Sequence, residues 1–545
     1  LVEHNGGKDT EGERVVKSGS QSGNILVTIR SYSGKVRSII LPKFFRMKNQ
    51  FLLVLLTCGM VLIGCQKTDL SPASTEQASS FVEIGTIDIG DVGAAEISAY
   101  DPISQRLFAV NNGSVNKIDV IDLSNPANPT LISSIPISGF GGFANSIAVS
   151  NGRLAIAIEA AVKQNPGKVA IFDTRKLVEI KSVTVGALPD MVCFSPDGNW
   201  ILTADEGEPS NDYQIDPPGT ISIIDVRNGF QVTTLGFKSF ITQRAALVAK
   251  GMRVFGPNGD FEKDIEPEYI TVSDDSKTAY VTLQENNAIA KVDIATKTIT
   301  NILPLGYMDF SKPGFEADFS DRDNQIAFNS WPVRGLYLPD AIASMQYEGE
   351  TYLFTANEGD AREYSVFTEV KRVKDLRLDA TAFPNGNTLK TDAQLGRLNV
   401  TTTLGDTDFD GDFDALYSLN SRSFSVWSGT TGNQIFDSKN ELDKKCNLWF
   451  TYDDGRSDDK GSEPESVVLG TVGKKKILFV GLERSDAVAV YDVTDPTKPN
   501  YIKLLASGDA PEGLLFIKPE DNKMGRSLLV VSSENDGVIK IFSTK

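Results

Sequence analysis

Between residues 79 and 545, short apolar runs alternate with clusters of Gly, Pro, Asp and Asn, and the runs fall into groups of four. The third group is the plainest: Met191 to Ser195, an Asp197-Gly198 turn, Trp200 to Ala204, Thr220 to Val226, and Gln231 to Leu235. Runs of this length bounded by turn formers predict antiparallel strands. Similar quartets open at Glu96, Asn145, Glu268, Asp340 and Glu465. The last group has three runs, Leu514 to Phe516, Leu528 to Ser532 and Val538 to Phe542, while Phe81 to Ile89, ahead of the first group, reads like the fourth strands elsewhere. Complementary fragments at the two ends predict an all-β fold, a seven-bladed β-propeller closed by an N-terminal strand, because closure is how radial sheets protect their edges. The rival repeat architecture, a parallel solenoid, would not leave such fragments.

Three insertions interrupt the repeat, at 236–262, 306–337 and 365–422. The first carries Phe240 to Lys250, a helical pattern ended by Gly251. The last falls between the second and third strands of the fifth group and is expected to stand over one face of the ring.

Two acidic positions recur within the groups. One follows a Pro or small residue at the start of each first strand: Glu96, Asp190, Glu268, Asp340, Glu465 and Glu512, with Asn145 in the second group. The other ends each second strand: Glu159, Glu206, Glu285, Glu358, Glu483 and Glu534, with Asn112 in the first. The two strands form a hairpin, so a sevenfold array would set both rings of acids on one central face. Such crowding is unfavourable unless a cation binds there, or unless the acids are turn residues bonded to their own backbone. Asp122, Asp173, Asp225, Asp293 and Asp492, ending third strands at the opposite end, are expected to be turn residues of that kind.

The 365–422 insertion contains Gly405-Asp406-Thr407-Asp408-Phe409-Asp410-Gly411-Asp412-Phe413-Asp414. Alternating acids around one Gly give the oxygen-rich, sharply turned loop that Ca²⁺ prefers. Asp406, Asp408 and Asp410 are expected to ligate through side chains, Asp412 through its carbonyl, and Asp414 directly or through water. The twelfth position, a bidentate Glu in an EF-hand, is Tyr417. A solvated acidic loop is the alternative. Arg334, Arg362, Arg456, Lys460 and Arg484 could clamp a phosphate beside a bound metal, or neutralise neighbouring carboxylates.

Met47-Lys48-Asn49, the apolar run Phe51 to Ile63, and Gly64-Cys65 form a bacterial lipoprotein signal pattern over 47–64. Cleavage before Cys65 would leave that residue lipidated and followed by a linker, 65–78, with the propeller over 79–545. Residues 1–46 read as non-native upstream sequence. The single histidine of the chain is His4, so Ser-His-Asp chemistry, His-ligated zinc and a His general base have no residue beyond that segment. The net charge of −18 makes nucleic acid a poor partner and divalent cations a good one. Of four cysteines, Cys193 and Cys446 lie in the propeller, too few for a disulfide framework.

Trp331 to Ala343, Thr355 to Tyr364, the acidic loop and Arg456 to Glu465 together resemble the choice-of-anchor I domain family, which is similar to mesenchyme-specific cell-surface glycoproteins. The resemblance implies a surface protein with one of several anchors, consistent with lipid at Cys65; the lipoprotein signal itself predicts a bacterial envelope location, periplasmic or displayed outward from the outer membrane. Two functions follow. One is a non-catalytic, calcium-loaded binding protein whose partners are divalent cations, mineral or another envelope component. The other is a metal-dependent phosphohydrolase acting on phosphate esters, since some bacterial relatives carry the label alkaline phosphatase and phytase-like propellers would hold metal similarly.

Overall fold

The computed structural model describes residues 75–545; the signal segment, Cys65 and most of the 65–78 linker lie outside the described residues. The third group forms Pro189–Phe194, Trp200–Asp205, Thr220–Asp225 and Gln231–Leu235, an antiparallel sheet in that order. Its second and third strands are buried over nearly their whole length, while the fourth is more exposed. That gradient follows from position: inner strands have neighbours on every side, and the outermost strand borders solvent.

Among the described residues there are seven such four-stranded sheets. The first is Ala94–Asp101, Arg106–Asn111, Lys117–Asp122 and Thr130–Pro136. The second is Ala144–Ser150, Arg153–Ile158, Pro166–Asp173 and Glu179–Ala187, and the fourth is Pro267–Val272, Thr278–Leu283, Ala288–Asp293 and Thr298–Pro304. The fifth takes Ile342–Tyr347, Glu350–Ala356, Phe424–Ser428 and Gln434–Asp437; the sixth takes Pro464–Val472, Lys475–Leu482, Ala487–Asp492 and Asn500–Ala506. The seventh joins Pro511–Ile517, Leu528–Ser533 and Val538–Ser543 to Val82–Asp88, which pairs antiparallel with the last strand. Each first strand touches the first strand of the next sheet, and Pro511–Ile517 of the seventh touches Ala94–Asp101 of the first. Apolar side chains fill the spaces between consecutive sheets.

The insertions at 306–337 and 365–422 fold together. Tyr307–Asp309, Val333–Leu336, Leu416–Ser418, Asn399–Thr401 and Val370–Arg372 make a five-stranded sheet, with one parallel pair between Val333–Leu336 and Leu416–Ser418. Phe310, Phe319, Trp331, Leu395 and Leu398 are buried beneath it. In the first insertion the expected helix is shorter and split: a 3₁₀ turn, Lys238–Gln243, runs into an α-helix, Arg244–Val248. Gly251 follows at φ +103°, in the left-handed region that ends helices.

Candidate cation-binding face

The first-ring residues sit in bulges. In six of the seven sheets the register between first and second strands shifts across the ring residue: around Glu96, Asn145, Asp190, Glu268, Glu465 and Glu512. A bulge leaves one residue out of the ladder and re-aims its side chain. The approach is also strained, because Leu188, Leu338, Glu463 and Ala510 each hold a positive φ immediately before Pro, a conformation disfavoured by about 1–2 kcal/mol per residue. The second ring closes the same turn. The backbone N–H groups of Glu159, Glu206, Glu483 and Glu534 donate to the carbonyls of Phe143, Leu188, Glu463 and Ala510, each two residues before the ring position of its own sheet. Both acidic positions therefore share one end of each hairpin.

Their charges act on one another across sheets. Burial pushes Glu96 up to about 8, with Glu534 and Asp190 adding to it. Asp190 rises to about 6 through burial and Glu159. Glu268 is raised far above the usual carboxylate range by burial and then by Glu206, Glu285, Asp190 and Asp340. Glu206, Glu285, Asp340, Glu465 and Glu512 are raised in the same way, and Glu483 goes to about 8. The third-strand acids behave oppositely. Turn N–H groups of Ser124, Lys176 and Thr296 hold Asp122, Asp173 and Asp293 below the usual range. Glu285, Glu465 and Glu512 each keep a buried carboxylate oxygen without a hydrogen-bond partner in the protein. Two rings of acids converge, and several are not satisfied as turn residues are.

Two asparagines break the rings. Asn112 Nδ2 donates to Glu96 Oε2 at 2.9 Å and to the Ala144 carbonyl at 2.8 Å, and Asn145 Nδ2 donates to the Pro189 carbonyl at 3.3 Å. One arc carries a cation of its own: Lys460 Nζ lies 2.5 Å from Glu358 Oε1 and 3.2 Å from Glu463 Oε1. Arg484 and Arg456 pair with Glu463 at 3.1 Å each. Arg362 is 3 % exposed and binds Asp264 and Glu266 at 2.6 and 2.7 Å. Arg334 donates to Tyr417 Oη and stacks on Tyr307.

The Asp-rich loop is pinched at its neck, where Gly405 accepts from the N–H groups of Asp414 and Ala415. Carboxylate oxygens of Asp406, Asp408 and Asp414 lie within 4.8 Å of one another. Asp414 and Asp412 meet Asp379 at the same spacing. Asp410 joins neither set and accepts from the Asp412 N–H at 3.0 Å. Asp412 also pairs with Arg377 at 3.1 Å.

Sequence reading passed over Asp379, Glu463, Glu266 and Glu369. Glu266-Pro267-Glu268 and Glu463-Pro464-Glu465 are the same acid-Pro-acid triplet, a signal that could have marked the first and last of each. Asp379 and Glu369 offered none. Glu369 is fully buried against Arg253, 116 residues away.

Four-stranded antiparallel sheets whose first strands touch in sequence and whose acids meet at one end define an all-β, propeller-like protein with an acidic face. Residues 96–496 match the choice-of-anchor I domain, and the chain belongs to that family. Gigasin-3a from Magallana gigas is 29 % identical over a match spanning 28 % of this chain and 66 %, just under two thirds, of that protein. Among solved structures, the β-propeller domain of Myceliophteria thermophila Cps50 (Swd1) covers 85 % of this chain and 100 % of its own, at 9 % identity and a TM-score of 0.43. Kuenenia stuttgartiensis hydrazine synthase covers 84 % and 97 % at 12 % identity and a TM-score of 0.46.

Proposed function

We propose that the chain is a calcium-binding protein of the bacterial cell surface: a seven-bladed propeller, closed by Val82–Asp88, that binds cations at its acidic face and in the Asp-rich loop. Its tether is lipid on Cys65 in the outer membrane. The observation that carries the reading is the set of buried, unpartnered oxygens on Glu285, Glu465 and Glu512 among acids held above their usual range. Charge left unpaired in a buried site is unfavourable, and a hard divalent cation with oxygen ligands relieves it. Membership of the choice-of-anchor I family supports the surface location.

Binding is favoured over phosphoester hydrolysis because Arg362, Arg456, Lys460 and Arg484 are already paired with carboxylates. Calorimetric titration with Ca²⁺ tests the proposal. The chain should show binding at the loop and at the face, and Glu268→Gln with Glu512→Gln should remove the second component only. Unchanged titration of the double variant would reject the central site, and calcium-dependent turnover of phytate or a phosphomonoester would reject the non-catalytic reading.

A further inference from the structure

Directly beneath the first ring lies a chamber of about 230 Å³. Its upper wall consists of the residues that follow the ring positions: Ile97 after Glu96, Ser146 after Asn145, Met191 after Asp190, Tyr269 after Glu268 and Gly513 after Glu512. Deeper, Ile147, Val149, Leu514 and Leu515 make it apolar. Tyr269 reaches towards the middle: after burial, the groups that raise its phenol are Asp340, Cys193, Asp190 and Glu512, from three sheets other than its own. Glu96, Asp190, Glu268 and Glu512 of the first ring each stand one residue before this wall, so carboxylates, an aromatic ring and apolar side chains follow one another along the first strands. Glu512, whose neighbour Gly513 lines the chamber, adds a buried oxygen without a hydrogen-bond partner.

We infer that the ring and chamber form one site for a small organic cation, with an ammonium group among the carboxylates and an apolar body against Tyr269. A metal ion would use the ring and leave the chamber unexplained. An anion would meet the carboxylates first, and a neutral apolar molecule would leave their charge uncompensated. Aromatic faces attract ammonium groups within about 6 Å, so Tyr269 serves both halves of such a ligand. Drug-sized ligands occupy roughly 300–1,000 Å³, and the smaller chamber suits a body about the size of a benzyl group. The inference rests on the ring as a cation-recognising element but assigns it a different ligand, with which Ca²⁺ would compete.

Calorimetric titration of the protein with benzyltrimethylammonium, tetramethylammonium and benzyl alcohol tests it. The first should bind at least tenfold more tightly than the second, and the third should give no heat of binding. Ala148→Leu, which fills one wall of the chamber, should weaken benzyltrimethylammonium at least tenfold and leave Ca²⁺ binding unchanged, which also reports that the variant is folded. If Ala148→Leu does not fold, Tyr269→Leu should weaken the same probe. Equal affinity for the two ammonium ions, or full affinity in the folded Ala148→Leu variant, would overturn the inference. Ca²⁺ binding with no benzyltrimethylammonium binding defeats this inference alone, whereas the reverse defeats only the calcium reading.

Discussion

Lys460 Nζ stands 2.5 Å from Glu358 Oε1, so a tethered ammonium is part of the acidic face. Beside it three carboxylates, Glu358, Glu463 and Glu465, come within 4.8 Å of one another. Glu358 is correspondingly the exception among its neighbours: burial alone would raise it, but Lys460 and Gln284 draw it below the usual glutamate range. The sixth sheet's lead-in therefore neutralises one arc from within, while burial and mutual repulsion hold Asp190, Glu206, Glu268 and Glu285 above the usual carboxylate range.

Replacing Lys460 with Met keeps the aliphatic stem and removes the charge. Breaking a buried pair by deleting one partner typically destabilises by about 3–5 kcal/mol, and that loss is expected at pH 7. Glu358, with its lowered folded pKa, contributes stability above the ordinary glutamate range, and the contribution fades as pH falls through the folded value. Without Lys460, burial would leave Glu358 raised like its neighbours, so the variant's glutamate takes up a proton at pH 5; the deficit of Lys460→Met should narrow there and also shrink when Ca²⁺ is added. Urea unfolding at both pH values measures it; equal deficits would assign the effect to packing of the stem.

Glu96, Asp190 and Glu483 have the opposite sign. Glu96 and Glu483, raised to about 8, and Asp190, raised to about 6, bind protons more tightly folded than unfolded. Their contribution is fully present below the ordinary carboxylate range and is lost as pH rises through 6 to 8. In chelator, the melting temperature should fall steadily from pH 5 to pH 8. A bound cation favours the ionised acids, so saturating Ca²⁺ should flatten the slope, as thermal melts across that interval would register. A melting temperature that rises over the interval in chelator would mean that the ring acids are ionised and satisfied without a ligand.

At the Asp-rich loop the geometry separates acids that the spacing treated alike. Asp408→Ala should abolish one Ca²⁺ binding event, because its oxygen converges with those of Asp406 and Asp414. Asp410→Ala should change the affinity less than about threefold, since that carboxylate is engaged with the Asp412 N–H. Asp379→Ala, outside the loop altogether, should weaken binding if the second set with Asp412 and Asp414 takes an ion. A site occupied at 100 times its Kd adds about 2.7 kcal/mol to stability, so chelation should lower the melting temperature of the wild-type chain and have little effect on Asp408→Ala. Identical titrations for Asp408→Ala and Asp410→Ala would return the loop to an ordinary solvated turn.

Local chemistry made part of this legible and distance concealed the rest. Pro189-Asp190 and Pro511-Glu512 announce the strand openings because Pro and the acid after it fix a turn within a few residues, and the observed bulges fall there. The buried knot of Arg362 with Asp264 and Glu266 joins residues almost a hundred positions apart, and nothing in either segment names its partner. The same holds for the sheet shared by two insertions: Val333–Leu336 and Leu416–Ser418 pair in parallel across a long intervening stretch. Periodicity reports which face of a strand is buried, not which remote strand covers it. The 240–250 helix shortened for a related reason, since Phe240 and Leu247 are buried in a core its own sequence does not specify.

Val82–Asp88 is the fourth strand of the seventh sheet, hydrogen-bonded along Val538–Ser543. Phe81, just before it, is fully buried with its ring edge-on to Phe479 of the sixth sheet at 5.4 Å. Burying one such side chain contributes about 1.5–3 kcal/mol, and the strand also covers an edge that would otherwise pair with another chain. Phe81→Ala should therefore lower stability by about 3–5 kcal/mol, the range for a large-to-small change in a core, while the protein stays monomeric because the ladder is intact. Deleting residues 79–90 removes both terms, and the product should self-associate in a concentration-dependent way. Sedimentation velocity on the two variants separates packing from edge protection. A deletion product that stays monomeric with the melting temperature of Phe81→Ala would show that the strand serves only to bury Phe81 and does not close the sheet.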